Sequence, residues 1–217
     1  MVVFSLQIKE VAPIEEIFAR QQPLALTIPS KVAVVGCGGI GSWVALDLAL
    51  VGTRELLLID PDALEATNLN RTPYYLKQVG CLKVTALAEL IANRRPECLV
   101  ITYPFCLQEV QELLPIDLDY FIDCTDNLHV KQAAASRWHK KYIKLGYDGF
   151  YFTIDKADAL PWGEETGGYG TVPSFFGTPQ TVAALVVSAI TAGFKLPKET
   201  VTASLADLLN YLARKRR

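Results

Sequence analysis

The chain has 217 residues, 51% hydrophobic and 20% charged, which supplies a sizeable core and excludes a disordered, collagen-like or coiled-coil chain. With 21 Lys and Arg against 23 Asp and Glu, the formal net charge of −2 gives no bulk electrostatic case for nucleic acid or an anionic membrane. Five cysteines, an odd number without a CxxC pair, argue against a disulfide framework and a four-thiolate zinc site, and for a reducing, cytoplasmic compartment.

Residues 1–30 read as an N-terminal arm interrupted by Pro13, Pro23 and Pro29, with a short helix over 14–21. No basic region followed by a long apolar stretch opens the chain, so no signal peptide is expected. The remainder, 31–217, reads as one domain. The apolar run over 31–35 suits a strand buried on both faces. Further strands are predicted at 54–60, 99–103, 120–124, 141–145 and 150–154. Helical spacing is found at 40–51, 80–94, 107–114 and 127–140, and again at 179–194 and 201–217. Strands alternating with helices predict an α/β, Rossmann-like, mostly parallel sheet with helices on both faces. Residues 155–178 hold five glycines and two prolines and read as a long crossover loop. The apolar stretch at 182–194 is too short to span a membrane and is expected to be a core helix. The closing Arg-Lys-Arg-Arg run suits a solvated helix end.

Chemistry concentrates in four places. Gly36-Cys-Gly-Gly-Ile-Gly41 lies between a predicted strand and helix, where backbone N–H groups can approach a phosphate. Asp60 closes the next strand, where an acid can accept from both ribose hydroxyls. These two features suit a nicotinamide dehydrogenase equally well. The segment from Asp60 and Asp62 through Asn68 to Arg71, then Lys83, then Asp123-Cys-Thr-Asp126-Asn127, does not. A dehydrogenase has no need for an Arg and a Lys brought to the same phosphates, or for an aspartate able to hold a metal.

GxGGxG, DxDxxxxxNLxR, GxxK and DCTDN, in that order, resemble the ThiF/MoeB-type adenylyltransferases, bacterial relatives of the ubiquitin-activating enzymes. The resemblance runs from about 31 to 148, with a weaker match over 179–194. It implies use of ATP and Mg²⁺ to adenylate a C-terminal carboxylate, usually that of a small ubiquitin-like (β-grasp) or sulfur-carrier protein ending in Gly-Gly. It further implies that Gly36, Gly38, Gly39 and Gly41 shape the nucleotide loop and that Asp60 holds the ribose. Asn68, Arg71 and Lys83 would neutralise the triphosphate, and Asp126 would bind Mg²⁺ with Asn127 supporting the turn. Asp62 either assists the nucleotide or initiates a turn after Pro61. Asp126 could equally cap the following helix.

The chain departs from that pattern in places. Thr72 stands where a Gln is usual. Arg20 resembles the arm arginine that reaches a partner subunit's ATP, but lies unusually close to the glycine loop. No structural zinc is expected, and no cysteine lies in 155–178 to accept an activated protein. Cys37 and Cys124 read as buried and inert. The resemblance implies a homodimer. A tRNA-base or peptide carboxylate is an alternative acceptor, with the charge balance arguing against tRNA, and a non-catalytic nucleotide-binding scaffold is a further alternative.

Overall fold

The computed structural model describes residues 2–4, 14–156 and 173–214. Their strands form one eight-stranded sheet in the order β1-β4-β3-β2-β5-β6-β7-β8. The strands are β1 (Val2–Phe4), β2 (Lys31–Val35), β3 (Glu55–Ile59), β4 (Leu99–Tyr103), β5 (Tyr120–Asp123), β6 (Tyr142–Asp148), β7 (Tyr151–Lys156) and β8 (Val201–Ser204). The five inner strands β4-β3-β2-β5-β6 are parallel, as the alternation of elements requires. The antiparallel pairs lie towards the two edges, β1 on β4 and the run β6-β7-β8.

The two faces carry separate cores. On β2 and β3, Val32, Val34, Leu56 and Leu58 join one apolar cluster, while Ala33, Val35, Leu57 and Ile59 join the other. That alternation is the period of two along a strand, and both registers are apolar because both faces are covered. Helices α2 (Gly39–Val51), α3 (Lys83–Ala92) and α6 (Gly177–Ala192) cover the first face. Helices α4 (Leu107–Val110) and α5 (Leu128–Trp138) cover the second, where Phe121 stacks on Trp138 at 4.6 Å between ring centres. Helix α1 (Ile14–Phe18) supplies Phe18, over which the Arg95 guanidinium stacks at 4.0 Å.

Strand β1 is not among the elements expected in the arm, α4 ends at Val110 in a 3₁₀ turn over Gln111–Leu113, and two further expectations differ more. The helix expected over 201–217 begins as strand β8, and α7 (Leu205–Arg214) follows it. The cause is a local stop: Ser204 Oγ accepts from the Asp207 N–H while the Asp207 carboxylate accepts from the Ser204 N–H and Oγ, a reciprocal cap that fixes the helix start at Leu205. The loop expected over 155–178 is shorter at both ends. Asp155 and Lys156 belong to β7, and Gly177 already belongs to α6. The central part of that loop, 157–172, lies outside the described residues, as do Met1, 5–13 and the last three residues of the basic C-terminal run. No described helix is long and apolar enough to cross a membrane.

Candidate active site

At the carboxyl ends of β2 and β5 the sheet reverses its order of winding, the position where open α/β sheets bind ligands. A cleft of 590 Å³ opens there, bounded by the glycine loop and by the ends of β3, β5 and β6.

The glycine loop is held by its neighbours' backbone. Gly36 has φ +83° and donates its N–H to Ile59 O at 2.8 Å. A Cβ on Gly41 would stand 1.7 Å from Gly36 O, so the first turn of α2 folds directly onto the loop. Asp60 braces the same loop: its carboxylate accepts the Cys37 N–H at 2.6 Å and the Asp62 N–H at 2.8 Å. Burial raises the Asp60 pKa, and Lys83 and these two N–H groups oppose the rise. Lys83 Nζ lies 2.7 Å from Asp62 and 3.9 Å from Asp60.

Arg71 also lines the cleft. Trp43 Nε1 on α2 donates to Arg71 O, and Tyr74 donates its hydroxyl to Cys37 O at 2.7 Å, so the irregular segment after β3 is pinned to both helix and loop. On β5, Asp123 Oδ1 accepts from the Thr125 N–H and hydroxyl, closing the turn that carries Asp126. Asn127, rather than Asp126, caps α5, its side chain accepting from the His129 N–H. That leaves the exposed Asp126 carboxylate at the cleft with no hydrogen bond to a described residue.

The structure thus brings Gly36, Gly38, Asp60, Asp62, Arg71, Lys83, Asp126 and Asn127 to one cleft. Gly39 and Gly41 shape it from α2. Asn68 is drawn away: its Oδ1 accepts the Glu65 N–H in a short 3₁₀ turn, and it does not line the cleft. Thr72 does not line it either, because its hydroxyl turns back to Asn68 O. Arg20 stands at the far end of α2, next to Gln21, whose side chain bonds Val51 O. The thirteen residues of α2, about 20 Å of helix, separate it from the glycine loop of its own chain. Burial pushes the Cys37 and Cys124 thiols well up, so neither is poised as a thiolate.

Several residues at the cleft were not visible from motifs. Tyr147 and Ser174 form its β6 side, and Phe105 and Cys106 its β4 side. Beneath the Asp126 turn, Lys144 and Asp123 are both 0% exposed. Lys144 Nζ lies 3.4 Å from Asp123 Oδ2 and donates to Thr125 O at 2.9 Å. Tyr142 donates to the same Asp123 oxygen at 2.6 Å. The one available signal for this network was a lysine inside the otherwise apolar run 142–145.

Residues 16–194 match the ThiF family. The chain belongs to the ThiF family. Among ThiF relatives, it is 39% identical over 119 residues to the tRNA threonylcarbamoyladenosine dehydratase of Bacillus subtilis, covering 54% of this chain and 47% of that protein. It is 35% identical over 101 residues to the adenylyltransferase and sulfurtransferase UBA4 of Eremothecium gossypii, covering 45% of this chain and 23% of that protein. The chain therefore spans about half or less of the length of these relatives. The crystal structure of PaaA superposes with a TM-score of 0.67 at 25% identity, over 93% of this chain and 75% of that one. E. coli MccB, in a crystal structure with ATP, superposes with a TM-score of 0.63 at 21% identity, over 78% and 57%, and establishes the shared ThiF-type fold.

Proposed function

We propose that this ThiF-family chain is an ATP-dependent adenylyltransferase. The observation that carries the reading is the convergence of the glycine loop, Asp60, Arg71, Lys83 and Asp126 on one cleft at the switch point of the sheet. A carboxylate oxygen of the acceptor attacks the α-phosphorus of ATP, the bond from that phosphorus to the bridging oxygen breaks, and pyrophosphate leaves with the electron pair. No general base is required, because the attacking carboxylate is already ionised. The barrier is repulsion between the carboxylate and the phosphates, which Arg71 and Lys83 lower by placing positive charge beside the leaving group.

A divalent cation fits the charges present. Asp60, Asp62 and Asp126 face the cleft against only Arg71 and Lys83, so the described lining carries an excess of negative charge. The described residues hold no group of three or more potential metal-ligating side chains. Mg²⁺ needs none, since it is commonly held by one or two carboxylates together with substrate phosphates. Asp126 would hold it, and the ion would neutralise phosphate charge. A homodimer would add Arg20 of one protomer to the cleft of the other and cancel the excess negative charge of the lining. The odd, unpaired cysteines suit a cytoplasmic setting.

The acceptor proposed first is the C-terminal carboxylate of a ubiquitin-like or sulfur-carrier protein with a Gly-Gly tail, supported by the motif order and the similarity to UBA4. The similarity to tRNA threonylcarbamoyladenosine dehydratases favours a second, a carboxylate on a tRNA base. ATP–pyrophosphate exchange with Gly-Gly carriers in one arm and threonylcarbamoyladenosine-bearing tRNA in the other separates them. Exchange stimulated by neither removes both acceptors. Asp126→Ala is expected to lower Mg²⁺-dependent exchange by about 10²–10³-fold. Exchange at the wild-type rate would take Asp126 out of the reaction.

A further inference from the structure

Arg71 is one of two cations among the described residues lining the cleft, and its orientation depends on a residue 76 positions away. Its Nε donates to the Tyr147 hydroxyl at 2.7 Å. Its Nη1 donates to Thr67 O at 2.6 Å and to Asn70 Oδ1 at 2.9 Å. Nη2 carries no hydrogen bond to a described residue. A guanidinium held at Nε and Nη1 has its plane fixed, and its two remaining N–H bonds are presented as a unit.

Tyr147 is itself held from two sides. Its hydroxyl oxygen lies only 2.8 Å from where a Cβ on Gly39 would stand, so the ring tip packs onto the nucleotide loop in space that a side chain at Gly39 would take. Since that oxygen accepts from Arg71, its own proton is available to Ser174 Oγ, 3.3 Å away. Ser174 is fastened in turn. Pro173 O accepts the Gly149 N–H at 2.9 Å, and the Thr178 hydroxyl donates to Gly149 O at 2.6 Å, which ties the return of the crossover chain to the β6–β7 turn.

We infer that Tyr147 is a positioning residue for Arg71: its hydroxyl, backed by Ser174, sets the guanidinium so that Nη2 faces the phosphates of ATP. The inference rests on the proposed reading of the cleft as an ATP site and adds a determinant that the glycine and charged motifs do not contain. Tyr147 acts through Arg71 and touches no reacting atom.

A double-mutant cycle on the full chain tests it, read as the MgATP dissociation constant by calorimetry and, where an acceptor supports it, as the exchange rate. Tyr147→Phe keeps the ring and removes the hydroxyl. It is expected to weaken MgATP on the order of tenfold, the magnitude of a lost hydrogen bond to a charged group. In the Arg71→Ala background the same substitution is expected to change affinity less than about twofold, because the group it positions is gone. An equal loss in both backgrounds, or no loss beside an intact Arg71, overturns the inference; a purely structural role for Tyr147 gives the first of these. Thermal unfolding of each variant confirms folding. A wild-type chain that binds MgATP while neither acceptor stimulates pyrophosphate exchange removes both proposed acceptors and leaves the cycle decisive through the dissociation constant. A wild-type chain that does not bind MgATP overturns both.

Discussion

The two halves of the sheet are held in place by different means. On the β3-β2 side, the holding is done at the backbone: the glycine loop folds onto α2, and Asp60 pins it through the Cys37 N–H. On the β5-β6 side, buried side chains do the holding: Asp123, Lys144 and Tyr142 support the Asp126 turn, and Tyr147 orients Arg71. Gly36, at positive φ, and Gly41, against Gly36 O, leave no room for a side chain, whereas a side-chain scaffold can change which groups it presents while its strands stay where they are.

The sharpest break in that contrast is Gly41→Ala. Its Cβ cannot coexist with Gly36 O at 1.7 Å, so the loop or the helix must move. We expect MgATP affinity to fall by ~10²-fold or more by calorimetry, the scale of losing preorganised donors. Affinity within tenfold of wild type would mean that the loop is not the phosphate cradle.

On the other side, Lys144→Met removes the cationic partner of the buried Asp123 carboxylate, leaving it, among the described residues, only the neutral donors of Tyr142 and Thr125. Breaking a buried pair from one side costs roughly 3–5 kcal/mol, which in a chain of this size lowers the melting temperature by roughly 6–20 °C. Calorimetric melting checks the stability, and MgATP titration of the folded fraction checks the site. A loss of stability below about 1 kcal/mol would show that the pair is not what supports the Asp126 turn.

The smallest effect concerns Asp47 on α2, whose pKa burial alone raises from 3.8 to about 6. Between those values the folded state keeps a proton that the unfolded chain releases, so stability falls as pH rises through the window and stays lower above it. Asp47→Asn should remove that slope and add about 1 kcal/mol near pH 7.5, allowing for the partial exposure of the side chain. Urea unfolding at pH 4.5, 6 and 7.5 measures it, and parallel pH curves for both proteins would exclude the effect.

The backbone-built half was largely legible in the sequence, because its determinants are short and contiguous: a glycine run, an acid at a strand end, an apolar strand. Asn68 lies off the cleft because the same amide that could face a phosphate closes a 3₁₀ turn within three residues. The side-chain-built half was legible only at Asp126 and Asn127. Tyr147 and Lys144 act on partners 76 and 21 positions away, and nothing near them in the chain announces a partner. Strand β8 was read as helix because its four residues adjoin a strongly amphipathic segment, and only the Ser204–Asp207 cap separates the two.

Strand β1 bears on the order of assembly. Val2 pairs with Thr102, so the outermost edge of the sheet is closed by a segment made about a hundred residues before its partner. During synthesis this stretch must wait until β4 has emerged, and it is placed only after β4 although it was made before it. Until then β4 presents an open row of backbone donors and acceptors, and the nascent chain passes through an interval in which another strand could bind there instead.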